Sequence, residues 1–245
     1  MSGQRVVVIV QARMGSSRLP GKVLMDLHGR PLLERQIERL RRSRTVDAIV
    51  IATSTHARDD AIAEVAERVG VGVFRGPEDD VLARYVGAAD AFQADVVVRG
   101  TADCPLVDPE VLDRCVERLL EDDDLDYVSN TLQRTYPRGL DVEVLRRSVL
   151  ERAHHEATDP GDREHVTGFI WRQPERFRLA NVVDCEDRSA LRWTVDTQDD
   201  LDVVRAVYDA LYPERPDFSY ADALAHVSEH PAVHAGNRHE ARRPA

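Results

Sequence analysis

Short apolar runs alternate with segments of helical period through the first half of this 245-residue chain, and that rhythm restricts its fold more than any other feature. Residues 6–10 (Val-Val-Val-Ile-Val), 48–52, 72–74 and 95–98 read as strands. Residues 31–42 place Leu32, Leu33, Ile37 and Leu40 on one helical face, and 58–69 do the same with Ile62, Val65 and Val69 before Gly70 ends the helix. Helices follow over 79–92 and 109–120, the latter with Pro109 in its first turn. Such alternation predicts an α/β fold, a mostly parallel sheet with helices on both faces.

The second half is less regular. Residues 126–129, 142–145, 178–183 and 192–195 read as strands, and 146–157, 163–171 and 198–211 as helices. We expect one domain over 1–231. Residues 232–245, where His and Arg recur beside single Gly and Pro residues, read as a disordered tail.

No apolar run approaches the length of a membrane helix, and 6–10 is too short for a signal-peptide core, so the expected setting is cytoplasmic, without a membrane partner. A net charge of -11 argues against a nucleic-acid surface but not against a small anionic substrate, because cations are locally concentrated. Cys104, Cys115 and Cys185 have neither CxxC spacing nor an even framework, so they are expected to be reduced and not zinc ligands. His154-His155-Glu156 lacks HExxH spacing.

The local concentration is Gln11-Ala12-Arg13-Met14-Gly15-Ser16-Ser17-Arg18-Leu19-Pro20-Gly21-Lys22, directly after the first strand. Strand ends of this kind are where open α/β sheets bind ligands. Arg13 and Arg18 offer forked donors, Lys22 a point charge, Ser16 and Ser17 hydroxyls, and Gly15 and Gly21 a backbone free to turn its N–H groups toward a ligand. The set suits a polyphosphate. It is not a P-loop, since Val23 follows Lys22, nor is it Gly-x-Gly-x-x-Gly.

This segment resembles the signature of the cytidylyltransferases that make CMP-activated sugars, and within them the spore-coat polysaccharide (SpsF-like) branch. The resemblance spans residues 6 to about 211. It implies a nucleotide-diphospho-sugar transferase-like (GT-A, Rossmann-like) fold, CTP as donor, a sugar acceptor and a homodimer, with about 126–185 as the acceptor and dimerisation part and 178–183 a possible dimerisation arm.

Asp103, in Arg99-Gly100-Thr101-Ala102-Asp103-Cys104-Pro105, follows the fourth strand and should face the same crevice. It is either a turn residue or a metal ligand, and Asp108-Pro109 offers a better helix cap. Asp196, in Val195-Asp196-Thr197-Gln198-Asp199-Asp200, is either a cap or a second ligand. The resemblance assigns both to Mg²⁺. The family usually has Gly where this chain has Ala102; a positive φ there would cost about 1 kcal/mol.

By resemblance, Arg75 and Asp80 lie near the base and ribose, together with Thr101. Both also fit an ordinary helix start. Arg138, Asp141, Glu143, Arg163, Glu164, His165 and Arg192 are candidates for the acceptor pocket, or else surface salt bridges.

The implied reaction is CMP transfer from CTP to a sugar, an acidic one in the first instance, with release of pyrophosphate. No dedicated general base is evident. Three alternatives stand beside it: a phosphonate or polyol phosphate acceptor, kept open by Arg134, Arg138, Arg163 and Arg192; a same-fold glycosyltransferase; and a non-catalytic nucleotide-binding subunit. The Asp-x-Asp at Asp124-Leu125-Asp126 lies in an acidic loop before a strand rather than at a strand's end, which disfavours the glycosyltransferase.

Overall fold

In a computed structural model, which describes residues 3–234, the first-half rhythm becomes four parallel strands. These are β1 (Val6–Gln11), β4 (Ala48–Ser54), β5 (Gly72–Gly76) and β6 (Val96–Thr101). A two-stranded hairpin, β2 (Asp26–Leu27) and β3 (Arg30–Pro31), intervenes before α1. The sheet is completed by β7 (Tyr127–Ser129), β8 (Glu143–Arg146) and β9 (Leu179–Asn181) in the order β5-β4-β1-β6-β8-β7-β9. Only β8 runs against its neighbours.

Each face of the sheet carries its own core. Val8, Val10 and Val98 point to one side, where α1 (Leu32–Leu40), α2 (Asp60–Val69), α4 (Pro109–Leu120), α8 (Gln198–Leu211) and α9 (Tyr220–Glu229) contribute Ile37, Ile62, Val116, Val204 and Val227. Val7, Ile9 and Val97 point to the other, packed by Leu82 and Tyr85 of α3 (Val81–Ala91) and Leu150 of α5 (Arg147–Glu156). Because β-strand side chains alternate, a run apolar at every position needs both layers.

The crossovers place the site. Helices α1 and α2 carry the chain from β1 to β4 and β5 on one face; α3 returns it on the other, to β6 on the far side of β1. The order of winding therefore reverses between β1 and β6, where Gln11 stands opposite Thr101. A crevice opens above such a switch point.

Several expectations change. The helix expected over 163–171 is two, α6 (Pro160–His165) and α7 (Gly168–Trp171). Between them Val166 has φ 67 and ψ −56, and Thr167 N–H donates to His165 O at 2.7 Å, a γ-turn. A β-branched residue there costs roughly 1–3 kcal/mol. In return Val166 is fully buried, and the Thr167 hydroxyl reaches Glu143 at 2.6 Å.

Residues 192–195 are not a strand. Trp193 N–H donates to Arg138 O and Val195 N–H to Asp103 O, so the segment pairs with two different loops and never with one strand. The strand expected over 178–183 is shorter and forms the sheet's edge beside β7. Of the expected tail, 232–234 belong to a 3-10 turn, Pro231–His234, and the rest lies outside the described residues.

Candidate functional site: loop cations and two aspartates at the switch point

The loop after β1 is pinned before it reaches the crevice. Ala12 N–H donates to Ala52 O at 3.1 Å, and Met14 N–H donates to the fully buried Asp59 carboxylate at 2.8 Å. Asp59 also accepts from the Ser54 hydroxyl at 2.5 Å, which ties the loop to the end of β4. Gly21 takes a left-handed conformation at φ 71, which turns the chain into the 3-10 helix of Lys22–Leu24. Gly15 has no positive φ; the Arg58 guanidinium packs 3.1 Å from where its Cβ would stand. Ser16 Oγ stays inside the loop as acceptor for Leu19 N–H.

Asp59 went unread in the sequence because nothing local distinguishes it from the first turn of α2. Asp59→Ala should remove about 1–3 kcal/mol of stability, since it strands Met14 N–H and Ser54 Oγ. It should also weaken binding of the CTP that the resemblance implies, about tenfold or more, by releasing the loop. Urea unfolding and calorimetric CTP titration check both; unchanged nucleotide affinity would show that the loop holds its shape without this anchor.

Lys22 ends buried, 8% exposed. Its ammonium donates to Asp103 Oδ2 at 2.8 Å, to Asp196 Oδ1 at 2.9 Å and to Val195 O at 2.7 Å. Burial alone would lower its pKa, but Asp103 and then Asp196 outweigh that and leave it raised. Arg18 reaches Asp196 Oδ2 at 3.0 Å, and Arg192 donates to the same oxygen at 2.5 Å. Burial would raise the Asp196 carboxyl; Lys22, Arg18 and Arg192 hold it below its usual range instead. The structure thus brings together Arg18, Lys22, Asp103 and Asp196 from segments that are far apart in sequence. Arg13, also exposed, faces Glu164 across the crevice at 3.5 Å.

Asp196 is held from behind. Buried Asp200 accepts from Asp196 N–H and Thr197 N–H, caps α8 with Thr197, and anchors Arg192 Nε at 3.1 Å. Arg192, expected in the acceptor pocket, braces Asp196 from Asp200. Ala102 has no positive φ and is buried, so the missing glycine carries no backbone penalty.

The expected base-side residues have internal partners. Arg75 donates to Ser54 O and His56 O and pairs with Asp60 at 2.7 Å, spanning the β4–α2 connection. Asp80 caps α3 through Ala83 N–H and accepts two bonds from Arg163. Arg163, expected on the acceptor side, also binds His154 O and Ala157 O, so it clamps α6 to α3 and α5. Thr101 O accepts from Gln36 of α1 at 2.8 Å.

On the acceptor side, Glu143 is buried at the start of β8 and accepts from Arg99, the Tyr127 hydroxyl and the Thr167 hydroxyl. Arg99 was not read as a site residue, yet it lies on β6 between Glu143 and Gln11, whose Oε1 is 3.4 Å from it. Its Nε is buried without a partner. Asp141 is gripped by Arg134 through two bonds, at 2.5 and 2.8 Å. Gly139, at φ 102, lets the 136–141 segment approach Trp193 and Thr194, where a Cβ would come within 2.6 Å of backbone. Arg138 differs from the other candidates. Its guanidinium is half-buried and makes no hydrogen bond or ion pair among the described residues. Burial, then Arg134, lowers its pKa, and Arg192 adds to this against the pull of Asp141. Glu164 and His165 are exposed at the end of α6.

Asp124 and Asp126 lie at the opposite end of the strands from the crevice, at the start of β7, which runs parallel to β6. There they hold Arg178. Cys104 and Cys115 are buried free thiols, and Cys185 is an exposed one. No helix among the described residues is long and apolar enough to cross a membrane.

Comparison with known proteins agrees with this geometry. Residues 7–227 match the family described as cytidylyltransferase. The chain is 35% identical over 234 residues to the spore coat polysaccharide biosynthesis protein SpsF of Bacillus subtilis, covering 92% of this chain and 95% of that protein. It is 41% identical over 151 residues to a 3-deoxy-manno-octulosonate cytidylyltransferase of Anaeromyxobacter sp., covering 60% of this chain and 57% of that one. A solved cytidylyltransferase from Leptospira borgpetersenii superposes with a TM-score of 0.91 at 33% identity, covering 95% and 97% of the two chains. With a nucleotide-sugar transferase-like sheet, a cationic loop at its switch point and a match that runs through both aspartates, the chain belongs to the cytidylyltransferase family, a nucleotidyltransferase.

Proposed function

We propose that this enzyme transfers CMP from CTP to a sugar acceptor, an acidic sugar in the first instance, with release of pyrophosphate and dependence on Mg²⁺. The observation that carries it is the convergence of Arg18, Lys22, Asp103 and Asp196 on one point above the β1–β6 crevice. Cations there suit a triphosphate, and once they turn to it the two carboxylates beside them would be free to hold a divalent cation.

The residues fit Mg²⁺. Two carboxylates supply hard oxygen donors, and among the described residues there is no group of three or more His, Cys, Asp or Glu side chains able to hold a metal. The remaining positions would fall to triphosphate oxygens and water, the usual coordination of this ion. Bound there, Mg²⁺ would neutralise charge on the phosphates and lower the acceptor hydroxyl's pKa.

The acceptor oxygen would form a bond to the α-phosphorus as the bond to the β-phosphate oxygen breaks in line. Arg13, Arg18 and Lys22 would take up the charge of the departing pyrophosphate. Asp200 and Arg192 keep Asp196 aimed. Arg138 is the acceptor-side cation whose donors are uncommitted, and the positive field around it suits a carboxylate. The resemblance adds a homodimer as the acting unit.

Arg138→Met should raise the KM for an acidic acceptor about a hundredfold while CTP affinity stays unchanged, since the acceptor carboxylate loses its charge-assisted hydrogen bonds. Steady-state kinetics with each substrate varied in turn separates the two. The overall reading is tested by pyrophosphate release from each of the four ribonucleoside triphosphates with Mg²⁺ and a panel of 2-keto-3-deoxy sugar acids, amino sugars and phosphonates. Release that needs CTP and one sugar class supports it; release with phosphonates alone moves the acceptor class; CTP binding without turnover on any acceptor favours a binding subunit.

A further inference from the structure

Lys22 has three N–H bonds and three oxygen acceptors, so contact with a phosphate requires it to surrender at least one of Asp103, Asp196 or Val195 O. Around it the charges balance: Lys22, Arg18 and Arg192 face Asp103, Asp196 and Asp200. Both oxygens of Asp196 are taken by cations, and among the described residues the one hydrogen-bond contact of Asp103 Oδ1 is the Cys104 thiol, at 3.5 Å. A neutral cluster whose carboxylates already hold an ammonium has little attraction for a divalent ion, and Mg²⁺ gives up its water reluctantly.

We propose that Lys22 is a resident counter-cation that makes metal binding conditional on the nucleotide: the triphosphate draws the ammonium, with Arg18, off the aspartates, and only then do Asp103 and Asp196 accept a divalent cation. This rests on the cytidylyltransferase reading and adds an order of binding to it. The device follows from length and placement. Lys22 sits at the start of a 3-10 helix anchored by Gly21, so its backbone stays fixed while a four-carbon side chain swings. Arg192 cannot move likewise, because Asp200 holds its Nε.

Mn²⁺ binding followed by electron paramagnetic resonance tests this without reference to turnover. Wild-type protein should bind Mn²⁺ at least about tenfold more tightly with CTP than without it, a coupling of about 1.4 kcal/mol or more. Lys22→Met should bind Mn²⁺ in the absence of CTP at least about tenfold more tightly than wild type, and much of the coupling should vanish. Equal Mn²⁺ affinity of the wild type with and without CTP overturns the proposal, even if Lys22→Met fails to fold. So does a folded Lys22→Met that binds Mn²⁺ no better than wild type. A wild type with no calorimetric response to CTP would instead sink the nucleotide reading on which the proposal stands.

Discussion

Asp196→Asn lowers kcat by roughly a thousandfold or more while the protein stays folded; that is the expected result for a carboxylate that must hold charge at the reacting phosphates. Asparagine keeps the shape and one acceptor oxygen, and the turn does not depend on the lost charge. Asp200 still receives the backbone N–H groups of residues 196 and 197, and Arg192 keeps its bond to Asp200. Lys22 retains Asp103 and Val195 O. The loss should therefore fall on turnover at saturating CTP and Mg²⁺, measured as pyrophosphate release, with the melting temperature moved by only a few degrees. Near-normal turnover under those conditions would remove Asp196 from metal holding and leave it as the tether of Lys22 and Arg18. Because those two and Arg192 hold its carboxyl below the usual range, Asp196 stays ionised through neutral pH, and the acid limb of the wild-type pH–rate profile should belong to another group.

The sequence made the sheet legible where chemistry is local. Each first-half strand is a β-rich apolar run, and α4 and α8 begin and end where their caps and periodicity predict: Asp108 accepts from Glu110 and Val111 N–H, and Thr197 and Asp200 form a capping box. The cationic loop was legible for a related reason, since seven adjacent residues from Ser16 to Lys22 carry donors and turn formers together. What could not be read was partnership over distance. Nothing near Arg75, Arg163 or Arg192 in sequence says that Asp60, Asp80 and Asp200 will pair with them. Asp59 and Arg99 failed in the opposite direction: both looked ordinary, and only the fold places one under the loop and the other between Gln11 and Glu143. Two misses did carry local signals. Ser219-Tyr220-Ala221-Asp222 is a capping box that starts α9, and His28-Gly29, with φ 50 and 80, is the hairpin turn between β2 and β3. The break at Val166 had none, because helical periodicity continues across it and tertiary packing of Thr167 on Glu143 decides the backbone.

That packing makes Glu143 the position with the largest expected effect on stability. Its carboxylate is the sole acid hydrogen-bonded to Arg99 among the described residues, and it also satisfies two buried hydroxyls. Burial would push its carboxyl up, yet Arg99 and then the hydroxyls of Thr167 and Tyr127 hold it below the usual value. A carboxyl depressed on folding adds stability above its unfolded pKa, and that stability is lost as pH falls through its folded pKa. Glu143→Gln removes the charge and leaves the Arg99 guanidinium buried without a counter-ion, which should cost about 3–5 kcal/mol. The variant's stability should also lose part of its dependence on pH across the acid range. Arg99→Met combined with Glu143→Gln should recover much of the loss, because the unpaired charge rather than the missing bond dominates the penalty. Chemical denaturation of the two single variants and the double variant between acid and neutral pH resolves this as a coupling energy. The same double variant decides whether Glu143 touches the sugar. If it shapes the crevice only through Arg99, Tyr127 and Thr167, the acceptor KM of the restabilised protein should move by less than about threefold; a rise of about tenfold or more would be the loss of a direct contact, about 1.4 kcal/mol of binding.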